Sequence, residues 1–470
     1  MSKLKQLNDR VISRLNTNLN GLSFDSNAFV SAAIDDEKMM RFYAFYGITA
    51  HHPISFDFKH SNIAGSYFLG KCHVSRSTIY KSDIRGDELK KKGDPIDCVK
   101  NIPLLDDEMI TIRDSLLYKT LVHSHSHNPE SPEEFSIRNT IAAHYSNIHG
   151  STLVGCFLYP FATVDLMNLH ASIIGPFSYV QAGELFHRKI GAGTVWVKHP
   201  EFEFKYRFAK EILSRYVQVD AEYQPCGIIF DFVKQREKEY ERLFDVVSLK
   251  PLDFPESSAV NRYAVIKGKT IIGENVLVAQ RAFLDNARLG CGSNVQENAY
   301  VVDAHLEGMN VTAHGAKIVH AQVGFKTFVG FNAFVHGKKT ARVQIGKGCI
   351  IMPHTIIAPK VFLDIPDDHL VWGYIRSFRD LDAHTISLSE FETVKEEMIL
   401  GKLSFSGNGH AFIKANKDRI NQILKANGAF FQNGKNRGHA QDGQNISFNT
   451  LQPYATGENR GIFPSVCIDP

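Results

Sequence analysis

The sequence predicts a mainly β protein of two parallel β-solenoids with accessory α-helices, and three observations predict it. Aliphatic residues recur in steps of six, six and five from Ile272 onward. Small residues often sit four places after them. A more irregular copy of the pattern lies upstream, and the segments around the two copies carry helix-like sequence.

The step pattern runs through Ile272, Val278, Leu284; Leu289, Val295, Val301; Leu306, Thr312, Ile318; and Val323, Val329, Val335. Ala282, Ser293, Ala299, Ala316, Thr327 and Ala333 are the small residues that follow. A helix repeats near 3.6 residues and a simple strand at 2, so neither explains the spacing. Three short strands per coil, each turning one aliphatic residue inward, do explain it. After a loop near His336–Thr340 the cycle resumes at Ile345, Ile351 and Ile357. One coil cannot bury its own apolar residues, so the coils must stack.

In the first copy, Leu69-Gly70, Ala142, Ile148, Val154-Gly155, Ile174-Gly175 and Val180 are read in frame. The chain divides accordingly. Residues 1–58 are a helical or irregular N-terminal segment, 59–198 the first solenoid and 199–258 a helical connector. Residues 259–375 are the second solenoid, 376–431 a C-terminal helical segment, and 432–470 a polar tail expected to be extended or disordered.

Composition narrows the class. The chain of 470 residues is 43% hydrophobic and carries 53 basic against 50 acidic residues, a net charge of +3. No basic block marks a nucleic-acid or membrane-surface partner. Seven scattered cysteines without a CxxC pair point to a reducing compartment. No apolar h-region opens the chain, and no run reaches the ~18 residues of a membrane span. A cytoplasmic location is the expectation.

Ligand-type residues are densest in the first copy, at Val122-His-Ser-His-Ser-His127 and Ala143-His-Tyr-Ser-Asn-Ile-His-Gly150. Ile84-Arg-Gly-Asp-Glu88 and Ile112-Arg-Asp114 stand upstream. This set resembles the γ-class carbonic anhydrases, hexapeptide-repeat proteins with an R-[GA]-D-E-like segment and an H-x4-H-G segment. The stretch Asp364–Gly373 resembles the segment that closes the solenoid in hexapeptide-repeat enzymes. The resemblance implies a left-handed parallel β-helix, a homotrimer, and zinc held by three histidines between neighbouring subunits. Fe2+ or Co2+ would serve in place of Zn2+.

Carried over, His144 and His149 match two of the ligands. The third comes from His123, His125 or His127, and His123 is taken because it follows strand-like sequence. Arg85 and Asp87 match the first motif, Glu88 the position of a proton-shuttling acid, and Asp114 the aspartate that pairs with the arginine across the interface. The activity implied is zinc-dependent interconversion of CO2 and bicarbonate, a hydro-lyase reaction. Three imidazoles leave the fourth tetrahedral position open for water, whose pKa zinc lowers to about 7.

The second copy lacks that arginine, and His314 and His320 are six residues apart instead of five. It is read as mainly structural, with His305, His314 and His320 as an alternative metal set. Two other functions compete: a hexapeptide acyltransferase that uses acyl-CoA and a histidine general base, and a non-catalytic trimeric scaffold.

Overall fold

A computed structural model describes residues 3–34, 44–47, 56–95, 102–125, 135–240, 253–442, 449–452 and 466–467. Two compact units emerge. The first comprises Met1–Thr194, Leu213–Asp231 and Ile446–Pro470, the second Val195–Ile212 and Phe232–Asn445. Each holds one parallel β-solenoid. Among the described residues no helix is long and apolar enough to cross a membrane.

In the second unit strands run from Ala259–Val260 to Tyr374–Ile375. From Ile271 to His336 successive coils pair in parallel at a step of seventeen residues, as in Phe283↔Tyr300 and Tyr300↔Lys317. All but two of the twelve repeat residues belong to one apolar core. Of the others, Thr312 is fully buried, and Ile272 packs against that core. The stretch Asp364–Gly373 forms part of the last coil, and the antiparallel strand Thr385–Ser387 on His369–Val371 covers it.

In the first unit the coil is sixteen residues wherever no loop intervenes, as in Tyr67↔Asp83 and His149↔Asp165. Its strands stack into three faces. The first face stacks Tyr67–Gly70, Asp83–Glu88, Leu121–His125, Asn147–His149, Thr163–Asp165 and Tyr179–Gln181. The second stacks Phe56–Lys59, Cys72–Ser75, Ile110–Arg113, Phe135–Arg138 and the strands after them; the third runs from Thr78–Tyr80 to Lys189–Ile190.

Strand alternation turns Ile84, Val122, Ile148, Val164 and Val180 inward, all buried. Leu69 and Val154, expected in frame, stand one residue out of it. Leu69 pairs with Arg85 and Val154 with Arg138, on the outward side of their strands, and the inward residues are Phe68 and Leu153. A shift of one residue exchanges the two sides of a strand.

Helix α1 (Lys3–Asn18) buries Asn8, Val11, Ile12 and Leu15, the one-sided spacing of an amphipathic helix. Helix α2 (Ser26–Ala33) is capped by Asp25, whose carboxylate accepts from the Asn27 N–H at 2.9 Å. Both helices cover the outer side of the third face, where Leu15 and Phe29 join Leu116, Ile141 and Phe157 in one core.

The flanking segments are less helical than expected. Residues 44–47 and 56–59 of the N-terminal segment are strands, and Ala44–Gly47 pairs with Tyr67–Gly70, so the coil starts before residue 59. The connector contains the strand Phe202–Arg207, whose apolar residues alternate. Residues 397–407 form an antiparallel pair before helix Gly409–Ala426. The tail is partly ordered, since Asn449–Gln452 pairs with Ala44–Gly47 and Ala440 is fully buried. Residues 443–448, 453–465 and 468–470 lie outside the described residues.

Candidate active site

The outer side of the first face carries a polar column. Arg85 pairs with His123, His123 with His149, and His149 with Asp165, each one coil from the next. All four are buried. Alternation puts them on one side of their strands, while aliphatic neighbours fill the solenoid.

His149 is held by hydrogen bonds. Its Nδ1 lies 2.7 Å from Asp165 Oδ1, and the Tyr179 hydroxyl donates to Asp165 Oδ2. A carboxylate on Nδ1 fixes the tautomer that keeps Nδ1–H and presents Nε2 as the basic nitrogen. The His123 ring stands edge-on to it, with centroids 5.3 Å apart, and ligating nitrogens of the two come within 4.8 Å. His123 Nε2 is 3.6 Å from Glu88 Oε2.

Arg85 makes a two-bond fork to Asp87, at 3.0 and 2.5 Å. Burial alone would raise the Asp87 pKa, but the Arg85 charge and hydrogen bonds outweigh it and hold the carboxyl below its usual value. Gly70 is required beside them. Its φ is +81°, and a Cβ there would stand 2.3 Å from the Gly86 carbonyl oxygen.

Two expected residues lie elsewhere. His144 sits in the turn between the strands Ile141–Ala142 and Asn147–His149, its ring 4.5 Å from that of Tyr118 and 6.1 Å from that of Phe230. Burial first, and the Lys119 charge second, drive its pKa well below 6.5. Within one chain His144 therefore does not join His123 and His149 on the column, because a corner of the coil separates it from the strand that carries His149. Asp114 occupies the corner between the second and third faces and binds Arg76 and Arg14, so within the chain it makes no pair with Arg85. The His125 side chain and His127 lie outside the described residues.

Asp165 and Tyr179 escaped sequence reasoning. The signal was the sixteen-residue coil, which makes Asp165 the neighbour of His149. In the second unit His314 and Glu297 form another buried histidine–carboxylate stack, with Nδ1 2.8 Å from Oε2. His320 Nδ1 lies 3.6 Å from Asp303 Oδ2.

The donor set of the first unit fits a divalent metal in part. His123 and His149 offer two nitrogens, and Asp165 backs His149 as carboxylates back metal-bound histidines. Such an ion would supply Lewis acidity toward a carbonyl oxygen.

Comparison with known proteins gives the family. The family described as "Hexapeptide repeat including loop" matches residues 100–221. A crystal structure from Desulfovibrio desulfuricans G20, titled a putative acetyltransferase, is 49% identical, with coverage of 100% of this chain and 99% of that chain and a TM-score of 0.90. A mutant GDP-perosamine N-acetyl transferase from Caulobacter crescentus, solved with CoA and GDP-perosamine, is 17% identical over 31% of this chain and 64% of its own. Its TM-score is 0.12. No curated protein matches. The carbonic anhydrase expectation is corrected by the first of these structures, a full-length relative named for acetyl transfer and not for CO2 hydration. The chain belongs to the hexapeptide-repeat family.

Proposed function

We propose that the chain is an acyltransferase that moves an acyl group from acyl-CoA to the hydroxyl or amine of a small molecule, with His149 as general base. The His149–Asp165 pair carries this reading: a buried imidazole whose Nδ1 is held by a buried carboxylate, which makes Nε2 its basic nitrogen. The full-length likeness to a protein named for acetyl transfer supports it.

In the reaction the acceptor oxygen or nitrogen attacks the thioester carbonyl as Nε2 removes its proton. The new C–O or C–N bond forms, the C–S bond breaks, and the leaving thiolate takes the proton back from the imidazolium. Asp165 stabilises the imidazolium while it lasts. Glu88, near His123, and the Arg85–Asp87 fork line the same column and hold its charges in place.

The test is calorimetric binding of acetyl-CoA to the full chain, then thiol release with a panel of primary amines and alcohols. Running it with and without a chelator separates general-base chemistry from a contribution by a divalent ion on His123 and His149. His149→Gln should keep acetyl-CoA binding and lose about 10²–10⁴-fold in rate. Failure to bind acetyl-CoA, or wild-type turnover in H149Q, overturns the reading.

A further inference from the structure

The corner between the second and third faces of the first solenoid gathers arginines from three separate stretches of sequence. Asp114, buried in the corner with φ +50°, is their common counter-charge. Arg76 grips it with two hydrogen bonds, Nε to Oδ1 at 2.8 Å and Nη2 to Oδ2 at 2.7 Å. Arg14 of α1 adds Nη1 to Oδ2 at 2.8 Å. Arg113 stands 3.4 Å and Arg10 3.9 Å from the same carboxylate. On the next coil Arg138 pairs in register with Arg113, and among the described residues its side chain makes no ion pair.

Attaching α1 to the solenoid explains Arg14 and Arg76, which with Asp114 form a bridge between helix and coil. It does not explain the rest. A carboxylate has about four acceptor positions, and the Arg76 fork and Arg14 take most of them. Each guanidinium has five N–H donors, more than one shared carboxylate can take, and the Arg10, Arg14 and Arg113 side chains are 49%, 42% and 53% exposed, so about half of each is open to solvent. Like charges this close repel unless a further anion joins them. Coils stack at about 4.8 Å, which brings the side chains of Arg113 and Arg138 within reach of two adjoining phosphoryl groups.

We propose that this ridge binds a phosphorylated small molecule through a diphosphate, with Arg113 and Arg138 as the principal forks and Arg10 beside them. Arginine suits this chemistry because its planar donor pairs match two phosphate oxygens at once. The ridge is a corner that does not include the first face. The proposal is therefore independent of acyl transfer at His149, and either can fail alone.

Calorimetry on the full chain at fixed ionic strength tests it, with inorganic pyrophosphate as the probe and sulfate as the comparison. Saturable one-to-one pyrophosphate binding is expected, at least about tenfold tighter than sulfate, and about tenfold weaker in the double variant R113Q/R138Q. If that variant fails to fold, R113K/R138K keeps the charge and removes the fork, and binding should still weaken about threefold. Equal affinity for sulfate overturns the proposal, as does unchanged binding in the folded double variant. Binding of a polyanion such as heparin without saturable pyrophosphate binding also overturns it, and would show a diffuse electrostatic surface.

Discussion

Asp165 shows how one residue sets the chemistry of another. It is fully buried, accepts from Tyr179, and meets His149 at 2.7 Å. Asp165→Asn keeps the shape but lets the amide donate to Nδ1, which moves the imidazole proton to Nε2 and leaves no base facing the acceptor. Thiol release from acetyl-CoA should fall about 10²–10⁴-fold, with acetyl-CoA affinity little changed. A fall in affinity with an unchanged maximal rate would assign Asp165 to binding. Neither this aspartate nor Tyr179 stands in a recognisable motif. Arg85 and His123, by contrast, were legible because both stand in short motifs within strand-like sequence.

Among the elements, the strand Lys317–Val319 contains the least expected residue. Lys317 occupies a repeat position that points out of the second solenoid, paired with Tyr300 and Phe334. It is 1% exposed, bonded to the Gly315 carbonyl and 3.4 Å from Asn332 Oδ1, with its ammonium 5.8 Å from the Tyr300 ring centroid. Burial pushes its pKa down to about 7. Because the folded value lies below the unfolded one, the unfolded chain binds more protons between about pH 7 and 10.5. Stability should therefore rise with pH across that window, and the penalty should be greatest below pH 7. Lys317→Met should remove that slope and raise stability at neutral pH by roughly 2–4 kcal/mol, measured by denaturant unfolding from pH 6 to 10. An unchanged slope would show that Lys317 stays charged through its oxygen partners.

At the scale of the whole molecule, residues 440 and 441 of the polar tail belong to the second unit. Gln441 Nε2 donates to the Ser257 carbonyl at 2.8 Å, and Ala440 packs with Ala259 and Leu277 where the second solenoid begins. Removing residues 432–470 uncovers that first coil, and terminal coils need a cap. The truncation should cost about 1–3 kcal/mol, read as a melting temperature lowered by a few degrees. A truncated chain that melts with the full one would show that this tail adds nothing to the stability of that coil.

The frame of the second solenoid was determined by sequence alone, because its steps of six, six and five run through four successive coils without an insertion. The first solenoid follows the same physics, but inserted loops separate Arg85 from His123 and His123 from His149, so their neighbourhood is invisible until the strands are paired. The H-x4-H spacing brought His144 and His149 together on paper, yet a corner lies between them and only His149 joins the column. A net charge spread evenly along the chain likewise concealed the ridge, since Arg14, Arg76, Arg113 and Arg138 come from different coils and a helix. The periodic burial of apolar residues is a local property that the sequence states directly. Which polar side chains share a face depends on coil length, corner and register, and only the tertiary structure decided those.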